Sequence, residues 1–174
     1  EGLVTVTGGK LTTFRLIAVE TLWLLRSRVP ALERVRRDAG VFRPCDVPPP
    51  EAAGLDAATA RRLVGRHGAA AAEVVAGARP GELEPVPGTP WLWAEVRFAA
   101  RAERVVRLDD LLLRRVRVGL LLPDGGASLL PRVAAICREE LAWEDERWRM
   151  EEQDYLARWR ATYSAPAASA ALCA

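Results

Sequence analysis

A short apolar run, Leu3-Val4-Thr5-Val6, meets Thr7-Gly8-Gly9-Lys10 and continues as Leu11-Thr12-Thr13-Phe14-Arg15. The β-branched residues of the run predict a strand. The spacing of Leu11, Phe14, Ile17, Ala18, Thr21, Leu22 and Leu25 predicts a helix from 11 to about 29, with Pro30 as its stop. Strand, glycine turn and helix N-terminus in that order constrain the chain severely. A strand cannot hold itself in water without partners, and the pattern beyond residue 54 is helical throughout. The expectation is therefore a strand that has lost its sheet, in the C-terminal fragment of a longer protein.

The turn has a chemical character of its own. Gly8 and Gly9 accept positive φ and let a ligand approach the backbone closely. The first helical turn offers unpaired N–H groups and the positive end of a dipole, to which Thr12 and Thr13 add hydroxyls. That combination suits an anion. Lys10 is the only lysine among 25 basic residues, all the others being arginine. Where arginine serves for generic positive charge, a lone lysine beside two glycines suggests a compact ammonium chosen for phosphate or carboxylate. An ordinary strand-to-helix turn with a solvated lysine is the competing reading.

Residues 41–54 carry Pro44, Pro48, Pro49 and Pro50 and read as a linker between a segment 1–40 and a helical domain 55–164. Asp56 is a plausible N-cap for a helix over 57–66, closed at His67-Gly68. His67, the only histidine, is expected at the surface beside the helix dipole rather than as a base. Residues 69–78 form a second short helix. The pair resembles a helix-turn-helix, which raises a DNA-binding alternative, although the alanine-rich second helix has few side chains to reach base edges. Residues 91–104 read as a core helix with Trp91, Ala94, Phe98 and Ala102 on its apolar stripe and Glu95 off it. Leu108 to Gly119 reads as a capped short helix whose Arg114, Arg115 and Arg117 either bind an anion or pair with Glu95, Asp109 or Asp110. Helices over 129–143 and 144–163 follow, the last with Trp148, Tyr155 and Trp159 inward, before a frayed, disordered tail over 165–174.

A net charge of +2 with both signs interspersed leaves no nucleic-acid footprint. Cys45, Cys137 and Cys173 are far apart and lack metal-site or redox spacing. The chain shows no dinucleotide fingerprint on a strand–turn–helix. Nor can one histidine at a helix end complete a nucleophilic triad.

Thr-Gly-Gly-Lys-Leu-Thr-Thr-Phe-Arg, entered from an apolar strand, resembles the last flavin-domain segment of the FAD-dependent glycerol-3-phosphate dehydrogenases and the related glycerophosphate oxidases. The run from Glu95-Val96-Arg97 through Leu108-Asp109-Asp110 to Arg114-Arg115-Val116-Arg117-Val118-Gly119 is similar to their helical C-terminal domain. The resemblance implies a mainly α fold. An all-helical cap domain is preceded by one leftover strand–turn–helix of an FAD-binding α/β domain. It implies substrate binding by Lys10, which would contact the phosphate of glycerol 3-phosphate, and cofactor binding by Gly8, Gly9, Leu11 and Thr12. FAD would be held mainly by an upstream domain, and electrons would pass to a membrane quinone or, in the oxidases, to oxygen. The expected location is cytoplasmic, peripheral at the inner membrane face, with no nucleic-acid partner. A fragment of this kind is expected to be inactive alone. A stand-alone helical interaction module is the second alternative.

Overall fold

The computed structural model describes residues 3–29 and 54–164, which belong to two separate units. Six α-helices run through them: α1 Phe14–Leu25, α2 Ala57–His67, α3 Ala71–Ala76, α4 Trp93–Ala102, α5 Leu130–Leu141 and α6 Asp145–Tyr163. The mainly helical expectation holds, but the leftover strand is not seen. Residues 3–10 join no ladder, and the isolated pairing of Pro85 with Leu92 is the only β contact among the described residues. Inter-strand hydrogen bonds define a strand, and nothing described here offers residues 3–6 an edge to pair with. Pro30, Cys45, Cys173, the linker over 41–54 and the tail over 165–174 lie wholly or almost wholly outside the described residues.

In the first unit a single turn of 3₁₀ helix, Leu11–Thr13, runs directly into α1. Val19 is its one buried hydrophobic residue, while Leu11, Phe14, Leu16, Trp23 and Leu24 are exposed. A helix with apolar residues on every side belongs inside a larger body.

The second unit is built around α4. Asp56 caps α2 as expected, accepting from the amides of Ala58 and Thr59 at 2.8 and 2.9 Å. One apolar cluster joins Leu63 of α2 and Ala71 and Val74 of α3 to Ala94 and Phe98 of α4. The other side of α4, through Trp93, Val96, Ala99 and Ala100, enters a larger cluster with α5, Trp148 and Tyr155 of α6, and Leu111–Leu113. The segment Leu108–Gly119, expected as a short α-helix, is instead a π-helical turn, Asp110–Arg115, followed by 3₁₀ helix Val118–Leu120. Three successive leucines, Leu111, Leu112 and Leu113, are all buried there. An amphipathic α-helix presents one stripe, whereas these three consecutive residues must all face apolar neighbours.

Because α4 has clusters on both sides, every residue from Trp93 to Ala100 is buried, Glu95 and Arg97 included. Glu95, expected off the apolar stripe, is fully enclosed. It receives Arg62 at 3.0 and 2.6 Å, His67 Nε2 at 3.0 Å, and the Leu92 amide at 2.9 Å. The last of these satisfies one open donor at the start of α4. Burial by itself would raise the Glu95 carboxyl. The hydrogen bonds from His67, Arg62 and Leu92, with the Arg62 charge, outweigh it and hold the group below its ordinary 4.5. Arg97 works in the opposite direction. It forks onto Glu82 at 2.7 and 2.8 Å and reaches Glu139 and Glu140 on α5 at 2.8 and 2.6 Å. Glu82, in the loop between α3 and α4, is buried and also held below 4.5, because Arg97 and the Arg79 amide outweigh its burial.

The far end of α6 closes the unit. The Tyr155 hydroxyl donates to the Gly125 carbonyl at 2.5 Å, and Trp159 Nε1 donates to the Gly119 carbonyl at 2.8 Å. A Cβ on Gly119 would collide with the Tyr155 hydroxyl and lie 3.1 Å from Leu113 Cδ2. Gly119→Ala is therefore expected to destabilise the second unit by about 1–3 kcal/mol, seen as a lower melting temperature by circular dichroism.

Glu95→Gln is expected to cost about 2–3 kcal/mol. It leaves a buried site facing Arg62 and Arg66 without its charge, although both arginines keep some contact with water. Urea unfolding at neutral pH measures that loss. The pH dependence follows from the direction of the shifts. Unfolded Glu82 and Glu95 take protons near 4.5, and the folded groups only at lower pH. Below 4.5 the unfolded chain binds more protons, so stability falls as pH falls through the folded values. An acid titration of unfolding is expected to show this loss, and to show less of it in Glu95→Gln.

Candidate functional site

Residues 3–7, which belong to no helix or ladder, lead into Gly8 with φ 78° and Gly9 with φ 105°. Lys10 is extended, φ −118° and ψ 156°, and caps the 3₁₀ turn that begins at Leu11. Gly8, Gly9, Lys10, Leu11 and Thr12 thus sit together as one corner, and all five are exposed. The two glycines differ. A Cβ on Gly8 would meet nothing within 4 Å, whereas one on Gly9 would collide with the end of Ile17 on α1. Gly8 therefore leaves open space in front of the backbone, and Gly9 lets α1 pack against the turn.

An open hollow of about 560 Å³ lies along this corner, with Val6, Gly8, Gly9, Lys10, Phe14 and Ile17 among its walls. Its helix side is largely apolar, because the Thr21 hydroxyl is spent on the Ile17 carbonyl at 2.8 Å. The Lys10 ammonium forms no ion pair among the described residues. One flexible cation thus stands at the edge of an apolar concavity, beside the open end of a helical turn. Chemically, the arrangement offers an anion a charge and an apolar body a surface.

The two threonines also part ways. Thr12 is exposed, while the hydroxyl of Thr13, read from sequence as a donor for a ligand, is consumed within the turn by both backbone groups of Lys10. The cap is one-sided: the Thr13 hydroxyl, at the third helical position, bonds back to the Lys10 backbone, while the Lys10 ammonium carries no acceptor to return the bond.

The other candidates lie in the second unit. His67 does end α2, but its side chain is only 4% exposed and packs edge-on against Phe98, so it belongs to the Glu95 cluster rather than the surface. Arg114 pairs with Asp110 at 3.1 Å and Asp109 at 3.5 Å. Arg115 donates to the Glu103 carbonyl at 2.8 Å, while Arg66 donates to the carbonyl of Arg115 at 2.6 Å. Arg117 is exposed, with φ 58°. Arg114 therefore pairs within its own turn, and Arg115 ties that turn to the end of α4 through the Glu103 carbonyl. Cys137 is buried in the core, and burial pushes its thiol up to about 12, which removes it as a nucleophile near neutral pH. Among the described residues no group of three potential ligands could hold a metal ion, and no helix is long and apolar enough to cross a membrane. Glu82 and Glu151, both buried and ion-paired, are missed by sequence reasoning, since Glu82 is held by Arg97, 15 residues away, and Glu151, besides its local pair with Arg147, by Arg107, 44 residues away.

Comparison with known proteins gives this geometry a context. A glycerol-3-phosphate dehydrogenase of Mycobacterium leprae is 34% identical over 170 residues, covering 90% of this chain but 29% of the relative. Glycerol-3-phosphate dehydrogenase 1 of Mycobacterium tuberculosis is 36% identical over 149 residues, 82% of this chain and 27% of the relative. The mitochondrial glycerol-3-phosphate dehydrogenase SDP6 of Arabidopsis thaliana is 28% identical over 181 aligned positions, 87% and 28%. The chain thus spans less than a third of the length of these relatives. No solved structure matches it. Residues 20–148 match the pattern described as the C-terminal domain of alpha-glycerophosphate oxidase, and the chain belongs to that family.

Proposed function

We propose that this chain is the C-terminal part of an FAD-dependent glycerol-3-phosphate dehydrogenase. Residues 55–164 form its helical cap domain, and residues 1–40 complete the flavin domain that lies upstream. The enzyme oxidises sn-glycerol 3-phosphate to dihydroxyacetone phosphate, with a membrane quinone as final acceptor. The chain alone, lacking most of the pocket, does not turn over.

One observation carries this reading. The Lys10 ammonium, with no ion pair among the described residues, stands at the rim of an open hollow, on a segment that leaves Leu3, Leu11, Phe14 and Leu24 exposed. Such a surface fits a segment made to be covered by protein and ligand. The corner also suits a flat ring. Gly8 presents bare backbone with open space ahead of it, and the helical turn from Leu11 points its free N–H groups toward the same end. Gly8, Gly9, Leu11 and Thr12 would flank FAD there. When bound, FAD supplies the acceptor for the hydride leaving C2 of the substrate.

Lys10 has the simpler task. Its ammonium neutralises the substrate phosphate by charge-assisted hydrogen bonds, and its four-carbon stem lets it follow the phosphate as the substrate seats. That interaction is the same before and after hydride transfer, so it contributes to binding and little to the chemical step. In the full-length dehydrogenase, Lys10→Ala is expected to raise KM for glycerol 3-phosphate about tenfold or more while largely preserving kcat. Steady-state kinetics on the flavin-loaded enzyme provide the check. An unchanged KM would remove Lys10 from the substrate site.

A further inference from the structure

Resting on the substrate role of Lys10, we infer that Thr13 is the positioning residue for that lysine. A single hydroxyl holds both backbone groups of Lys10. The Lys10 amide donates to Thr13 Oγ1 at 3.1 Å, and the same hydroxyl donates to the Lys10 carbonyl at 3.0 Å. The Thr13 amide adds a third link, donating to that carbonyl at 2.9 Å.

Lys10 needs such a hold more than an ordinary residue does. It follows two glycines with left-handed φ, the most permissive backbone available. It precedes a 3₁₀ turn and keeps an extended conformation that neither neighbour enforces. Without an anchor its Cα–Cβ bond would swing with the glycines, and the ammonium lies five bonds beyond the Cα. Gly9, packed against Ile17, fixes the turn from the α1 side, and Thr13 fixes it from the helix start. The Thr13 hydroxyl spends its one proton on the Lys10 carbonyl and so has none to offer an anionic substrate. It acts through the direction in which Lys10 leaves the chain, and small displacements of a binding group are costly.

The test compares near-isosteric variants in the full-length, flavin-loaded enzyme. Thr13→Val keeps the branched shape and removes the hydroxyl. Thr13→Ser keeps the hydroxyl and removes the methyl. Thr13→Val is expected to raise KM for glycerol 3-phosphate about three- to tenfold with kcat little changed, and Thr13→Ser to stay near wild type. A merely structural role would move the two variants together, or move kcat and the flavin spectrum along with KM. If Thr13→Val does not fold, Thr13→Ala carries the same comparison.

Lys10→Ala, measured alongside, separates the two claims. If Lys10→Ala raises KM and Thr13→Val does not, the positioning role is overturned and the lysine's role stands. If Lys10→Ala leaves KM unchanged, the substrate role of Lys10 fails and the positioning role falls with it.

Discussion

Opposite charges two residues apart inside one helix govern the second unit. Glu95 and Arg97 both lie on α4, and neither reaches solvent. A lone buried charge costs several kcal/mol, so each must find partners with good geometry. Glu95 finds them in α2, through Arg62 and His67. Arg97 finds them in the loop at Glu82 and in α5 through Glu140. The apolar clusters on the two sides of α4 would tolerate some sliding, because hydrophobic burial is non-directional. The forked guanidinium of Arg97 and the carboxylate of Glu95 would not. They set the rotation of α4 about its axis and the heights at which α2 and α5 meet it. The buried charges thus act on specificity of arrangement, whatever their net effect on stability.

This constraint also shows what the amino-acid sequence could and could not convey. Helix positions were legible because they depend on local signals. Asp56 caps α2, His67-Gly68 ends it, and Trp148 and Tyr155 mark the inner side of α6. The status of Glu95 was not legible. A stripe of Trp91, Ala94, Phe98 and Ala102 implies one buried face, and Glu95 falls outside it. The inference fails because α4 is covered on both sides, a fact that depends on elements 30 or more residues away, such as Arg62. His67 was misplaced for the same reason, its side chain being buried against Glu95 and Phe98. The leucines at 111–113 escaped in another way, since three adjacent buried residues fit neither a 3.6-residue nor a two-residue period, and the chain answers with a π-turn.

The Gly8–Lys10 corner reverses that balance. All five residues assigned to it are contiguous, so proximity was assured before any folding argument. What the sequence could not reveal was the division of labour within matching pairs. Gly8 and Gly9 look equivalent, yet one faces open space and the other makes room for Ile17. Thr12 and Thr13 look equivalent, yet one is exposed and the other is tied to Lys10. The expected strand before the corner went unseen for a related reason. Val4 and Val6 have the side chains of a strand but no ladder among the described residues, since sheet pairing depends on another segment.

The division of labour between arginine and lysine follows from their chemistry. Every buried or half-buried cationic task described here falls to arginine. Arg62 and Arg97 fork onto carboxylates, while Arg66 and Arg115 donate to backbone carbonyls. These tasks need several donors held in a plane, which an ammonium cannot supply. Lys10 has no ion-pair partner among the described residues and stands at an exposed corner over an open hollow. A guanidinium there would carry a rigid fork with nothing to receive it. An ammonium can turn toward whichever oxygen of a small mobile anion comes within reach. The lone lysine among so many arginines thus has a flexible side chain, and the turn beneath it holds its backbone through the Thr13 hydroxyl.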